Sequence, residues 1–119
     1  MTKITLIKTL QTIANSNDNT IEKYVAQEAL DHGDNPENFF QDILTYGCVS
    51  GMISGLVYYT DTYKFFDTHY DEIEELRSEY EQSTGCSIDI SDKDMKNTLA
   101  WFAFEQTAYN LANKLELDF

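Results

Sequence analysis

Hydrophobic and polar positions follow a helical period along most of the chain. In the segment 60–85, which has the clearest pattern, Phe66, His69, Ile73, Leu76 and Tyr80 are spaced three and four residues apart in turn. This spacing places all five on one face of a helix, and charged side chains fill the positions between them. Because similar patterns recur elsewhere, we predict an all-α fold of about five or six helices, packed as a single compact domain over residues 1–119.

Two helices are predicted near the amino terminus. The first covers Ile4–Ala14, with Ile4 on its apolar stripe. A polar run over residues 15–19 then interrupts the pattern, as turn-forming residues do. Thr20 or Asn19 is the expected cap of the second helix, and Gly33 is its expected stop.

Two further helices are marked by their start signals. Asn35-Pro36-Glu37 combines a capping residue, a proline at the first helical position and an acid, and it starts the third helix. Ser91-Asp92-Lys93-Asp94 resembles a capping box with Asp in place of Glu. It introduces a long helix that reaches Leu115, with Met95 and Tyr109 among its predicted core positions.

A glycine repeat separates the third helix from segment 60–85. Gly47, Gly51 and Gly55 are four residues apart, which on a helix makes a smooth strip that another helix can approach closely. The spacing favours a helix, but the Val, Ile and Tyr content of the run is also compatible with a strand. A helix with such a strip could form oligomers, so a structural or adaptor protein is one functional hypothesis.

The charge of the chain narrows the range of partners. The protein has 119 residues and a formal net charge of −13, and it is 42% hydrophobic, which is too apolar for a disordered chain. Such a charge argues against binding nucleic acid or an anionic membrane directly and favours a basic partner. An acidic surface can also serve only to keep a protein in solution. No targeting or membrane-spanning segment is visible, so we expect a cytoplasmic protein, in a cell or an infected host.

The acids of segment 60–85 form the candidate binding surface. Eight acids lie between Asp61 and Glu81, against Lys64 and Arg77. At ~1.5 Å per residue this is one acid per ~4 Å, close to the one charge per ~3.4 Å of a DNA strand. The partner-binding residues predicted from this pattern are Asp67, Asp71, Glu72, Glu74, Glu75, Glu79 and Glu81.

Catalytic and metal-binding readings have less support in the sequence. Glu28 with His32 and His69 with Glu72 have helical spacing, but neither pair matches the Glu-x-x-His motif of di-iron bundles. His69 lies on the apolar stripe, where a packed core histidine is expected. An enzyme or metalloprotein that uses His32 and His69 is therefore a third hypothesis, and we expect no enzyme activity and no cofactor.

The two cysteines indicate neither catalysis nor a metal site. Cys48 lies in an apolar run and is expected to be buried, whereas Cys86 follows a helix end and is expected to be half exposed. Neither has neighbouring basic residues that would activate it as a nucleophile.

Two segments carry a resemblance to known proteins. GCVSGMISGLVYYTDTYKFFDTHYDEIEELRSEYEQSTG (Gly47–Gly85) and AWFAFEQTAYNLANKL (Ala100–Leu115) resemble a family of small uncharacterised proteins of bacteriophages and other mobile elements. Small acidic phage proteins are often inhibitors of host defence, including anti-CRISPR proteins and DNA mimics, which are similar in size and charge but share no motif with this chain. The resemblance implies a non-enzymatic inhibitor that binds a basic nucleic-acid-handling host protein, such as a CRISPR effector.

Overall fold

A computed structural model describes residues 2–31, 35–46 and 66–117. Within these ranges there are five helices of substantial length and no strand, which confirms the all-α fold. The helices are α1 (Lys3–Ala14), α2 (Ile21–Asp31), α3 (Pro36–Tyr46), α4 (Tyr70–Thr84) and α5 (Lys93–Lys114). Several predictions concern residues outside the described ranges: the glycine strip, Cys48, His32, and the stop at Gly33.

The chain divides into two compact units. The first comprises residues 1–47 and 105–119, and the second comprises residues 48–104. Helix α5 contributes its first half to the second unit and its second half to the first. The prediction of a single domain remains a prediction.

Helix α1 packs on α2 in the first unit. Its first turn is capped by Thr2, whose side chain accepts a hydrogen bond from the Thr5 backbone N–H. Leu6, Leu10 and Ala14 form its buried face. The prediction for Ile4 was wrong, because this side chain is 67% exposed. Two apolar stripes lie next to each other on α1, and the packing on α2 buries the one that contains Leu6.

The start signals of α2 and α3 are confirmed. The Thr20 hydroxyl accepts a hydrogen bond from the Lys23 backbone N–H at 3.2 Å, and the Asn35 side chain accepts one from the Glu37 N–H at 3.1 Å. Each cap satisfies a backbone donor that the helix itself leaves unpaired. Among the described side chains of these two helices, the buried hydrophobic ones are Ile21, Val25, Ala26, Ala29, Phe39, Phe40 and Ile43.

The second half of α5 belongs to the first unit. Ala108, Leu111 and Ala112 are buried there, but Tyr109 is 51% exposed and does not belong to the predicted core. Lys114 bonds to Glu22 of α2 with 3.0 Å between the charged atoms. The helix therefore contributes both apolar packing and a surface ion pair to this unit.

The second unit has an aromatic core. Among its described residues, the buried hydrophobic side chains are Phe66, Ile73, Ile88, Leu99, Ala100, Trp101, Ala103 and Phe104. The Trp101 and Phe104 rings stack with 5.6 Å between their centroids. Met95 was predicted to be in the core of α5, but it is 39% exposed.

The start of α5 differs by one residue from the predicted capping box. The Asp92 side chain, and not that of Ser91, accepts the hydrogen bond from the Met95 backbone N–H at 3.1 Å. Ser91 instead donates its backbone N–H and its hydroxyl to the Asp89 carboxylate. These bonds lower the pKa of Asp89. The two consecutive polar residues offered two registers for the cap, and the turn at Asp89 selects the second.

Candidate partner-binding surface

The acidic segment is not one uninterrupted helix over its described part. Residues 66–68 are helical, His69 forms a turn with φ −113° and ψ 27°, and α4 begins at Tyr70. At the other end, Gly85 adopts the left-handed conformation with φ 72° and donates its N–H to the Glu81 carbonyl. A glycine takes up this conformation without a steric penalty, so it ends α4 sharply.

The apolar stripe of this segment faces the interior for part of its length. Phe66, His69 and Ile73 are buried, and Leu76 and Tyr80 are half-buried. Burial lowers the pKa of His69 because the interior solvates the charged imidazolium poorly. His69 therefore belongs to the core, as its position in the pattern predicted. Among the described residues no group of three or more His, Cys, Asp or Glu side chains is placed to hold a metal ion.

Four of the seven predicted binding residues are exposed. They are Asp67, Asp71, Glu75 and Glu79. The last three follow one another at four-residue intervals on α4, so their side chains lie along one line with ~6 Å of helix rise between neighbours. Within the part of the chain that the structure describes, none of these three forms an ion pair.

The other three predicted residues are less available. Glu72, Glu74 and Glu81 are half-buried. Glu74 and Glu81 both pair with Arg77, at 3.3 Å and 3.4 Å respectively. The sequence-based density of one acid per ~4 Å therefore overstates what a partner would meet, since the exposed acids of α4 are spaced more widely.

Arg77 also contacts the backbone of the segment between α4 and α5. Its guanidinium donates a hydrogen bond to the Ile88 carbonyl, and the Glu81 carboxylate accepts one from the Ile88 N–H at 3.1 Å. Both backbone groups of Ile88 are thus satisfied by side chains of α4, while the Ile88 side chain is buried. The only arginine of the chain therefore serves the local structure, and its charge is taken up by Glu74 and Glu81.

Near the start of α4 a lysine sits between an acid and an aromatic ring. The Lys96 ammonium lies 3.8 Å from Asp67 Oδ1 and 4.7 Å from the centroid of the Phe66 ring. The Tyr70 ring meets Phe66 edge-on at 5.8 Å and is itself 43% exposed. The contacts of Lys96 with Asp67 and Phe66 depend on tertiary structure and have no signal in the local sequence.

Cys86 is the one cysteine within the described ranges. This residue is exposed and has a free thiol, so it is more accessible than predicted. It lies directly after Gly85, outside the helix and outside the acidic line of α4.

Comparison with known families gives one match. The model of a family described as a domain of unknown function (DUF7222) matches residues 18–117. The chain belongs to this family. The matched segment contains α2 to α5, and with them the whole acidic surface, and it begins after α1. The match confirms that the chain belongs to a family of unknown function, and it does not link that family to phages or mobile elements.

No curated protein and no solved structure matches the chain. In the described ranges, the helices are too short or too polar to cross a membrane. Any function must therefore be argued from the surface itself.

Proposed function

We propose that the protein is a non-enzymatic inhibitor that binds a basic, nucleic-acid-handling host protein through the exposed acids of α4. It would act for a phage or mobile element against a host defence complex, as anti-CRISPR proteins do. The observation that carries the proposal is the line of Asp71, Glu75 and Glu79, three exposed carboxylates without an ion pair among the described residues.

Folding alone does not account for this line. Asp71 with Glu75 and Glu75 with Glu79 are like-charge pairs at i,i+4, and each such pair destabilises a helix by ~0.2–0.5 kcal/mol. Arg77, the one cation of α4, is engaged by Glu74 and Glu81. A basic partner would relieve this repulsion when it binds. The acids that destabilise the helix would therefore favour binding of the partner.

The chemistry of the line selects the class of partner. Nucleic-acid-handling proteins carry grooves of Lys and Arg that bind phosphates, and the same groups bind carboxylates. The exposed acids are ~6 Å apart along the helix, whereas DNA has one charge per ~3.4 Å of strand. The charge density of α4 is therefore too low for the helix to mimic a DNA strand. In this proposal α4 instead occupies a basic groove because its shape and its charge fit the groove.

The test begins with a purified CRISPR effector complex and the full-length protein. Binding is measured by calorimetry at several salt concentrations, and target cleavage is measured with and without the protein. We expect inhibition of cleavage and an affinity that falls as salt rises, because exposed charges are screened. A pull-down from bacterial lysate at low and high salt would widen the search to other basic complexes.

A matched pair of triple variants distinguishes the effect of the acidic line of α4 on binding from the effect of the net charge. Asp71→Asn, Glu75→Gln and Glu79→Gln neutralise the line, whereas Asp18→Asn, Asp31→Asn and Glu37→Gln neutralise three exposed acids of the first unit and change the net charge equally. The first variant should lose affinity by about three- to hundredfold, at a few tenths to one kcal/mol for each charge contact removed. Equal effects of the two variants, or none from either, would contradict the proposal.

A further inference from the structure

The surface around Tyr70 combines charge with an exposed aromatic ring. Tyr70 is 43% exposed and lies between two exposed acids, Asp67 three residues before it and Asp71 directly after it. Its ring packs against the buried Phe66 ring, with 5.8 Å between the centroids and 69° between the planes, which limits its freedom to move. A tyrosine held in this way loses little conformational entropy when a partner covers it, which is typical of interface hot spots.

Two neighbours of Tyr70, Phe66 and Asp67, already bind a cation of the chain itself. Lys96 lies over the Phe66 ring at 4.7 Å and next to Asp67 Oδ1 at 3.8 Å. This is the combination of an aromatic face and a carboxylate that cation–π recognition uses. Asp67 remains open to a second contact, since 75% of its side chain is exposed and the contact with Lys96 is made through Oδ1.

We infer that Tyr70, together with the carboxylates of Asp67 and Asp71, binds an arginine side chain of the basic partner. The inference rests on the proposed function and names the group that α4 recognises. A guanidinium is planar and weakly hydrated, so it can stack on the Tyr70 ring while its N–H groups reach a neighbouring carboxylate. A lysine ammonium is compact and more strongly hydrated, and it gains less from the ring.

The probes for this inference are two peptides of equal length and charge, octa-arginine and octa-lysine, each titrated into the full-length protein. The quantity of interest is the ratio of their dissociation constants. We expect the protein to prefer octa-arginine, and we expect Tyr70→Leu to reduce that preference by about two- to fivefold. Leucine keeps the apolar contact with Phe66 and removes only the aromatic face.

Two control variants make the readout specific. Tyr70→Phe retains the ring and should retain the preference for arginine. Tyr109→Leu removes a tyrosine of similar exposure on α5, where Gln106 and Asn110 are neighbours, and it should leave the ratio unchanged. Circular dichroism of each variant confirms that its helical content is that of the parent.

The outcomes distinguish this inference from the function it rests on. If both peptides bind and Tyr70→Leu weakens them equally, or not at all, recognition of arginine by Tyr70 is overturned while the acidic line of α4 stands. If neither peptide binds and the triple variant of α4 behaves like its parent, the basic-partner proposal is overturned as well.

Discussion

Helices α1 and α4 are both amphipathic, but they differ in what their polar faces do. The polar face of α1 contains Lys3 and Lys8 and no acid, and its hydroxyl groups bond within the helix, as Thr9 and Thr12 do with the preceding turn. Helix α4 carries six acids and one arginine in 15 residues. The sequence of α1 is explained by folding. That of α4 includes charge that opposes helix formation, and this excess is where a function is to be sought.

The buried faces of the two helices provide the largest expected effect. Leu10 of α1 and Ile73 of α4 are both fully buried, so replacement of either by alanine should lower the free energy of unfolding by ~2–5 kcal/mol. Denaturant titration followed by circular dichroism measures both. A loss below about 1 kcal/mol for Ile73→Ala would mean that α4 is not anchored by its apolar stripe, and it would break the comparison at its first step.

Arg77 should contribute less than the buried faces but more than an ordinary surface cation. Arg77→Ala leaves Glu74 and Glu81 without their cation and removes the hydrogen bond to the Ile88 carbonyl, for an expected loss of ~1–2 kcal/mol. The control is Lys114→Ala in the first unit, which removes a single exposed pair with Glu22 and should cost at most ~1 kcal/mol. Equal losses in denaturant titration would show that the segment between α4 and α5 does not depend on Arg77.

Protonation of His69 should contribute to the pH dependence of stability. Burial places the pKa of the folded state below the ordinary value of 6.5, so below that pH the unfolded chain takes up the proton first. Stability should therefore be unaffected by His69 above pH 7 and should fall as the pH drops below 6.5, until the folded pKa is reached. His69→Gln should flatten this part of the profile, and NMR titration of the parent gives the pKa directly. A pKa of His69 at or above its ordinary value would contradict the account.

The smallest expected effect is a gain in stability from Glu75→Gln. Glu75 lies four residues from Asp71 on one side and from Glu79 on the other, so neutralising it removes two like-charge pairs and should stabilise the protein by ~0.4–1 kcal/mol. Thermal unfolding at low salt is the suitable measurement, because salt screens the repulsion. A loss of stability would show that Glu75 has a favourable contact in the fold.

The sequence predicted the helices well where a local signal exists. The hydroxyl of Thr20 and the side chain of Asn35 cap α2 and α3 as expected, because a cap depends on residues within one turn of each other. The errors arose where the choice depends on distant partners. On α1 the stripe that contains Ile4 is as apolar as the one that contains Leu6, and only packing on α2 decides between them.

The candidate site was predicted in part for the same reason. Periodicity identified Asp71, Glu75 and Glu79 as outward-facing, and they are exposed. It also placed Glu72 outward, whereas that side chain is half-buried. Glu74 and Glu81 were predicted to bind a partner, whereas Arg77 pairs with both and the Ile88 backbone N–H donates to Glu81. The turn at His69 and the placement of Lys96 on Phe66 arise from tertiary contacts, which a helical period does not encode.

We propose that the acidic line of α4 exists for binding and not for folding. The most direct test of this proposal is to measure stability and affinity on one variant, Asp71→Asn with Glu75→Gln and Glu79→Gln. Loss of the favourable Asp71 charge in the first helical turn should be offset by removal of the two like-charge pairs, so the free energy of unfolding should stay within about 1 kcal/mol of the parent. Affinity for a basic partner should fall by about three- to hundredfold. A variant that is strongly destabilised, or one that binds as tightly as the parent, would contradict the account.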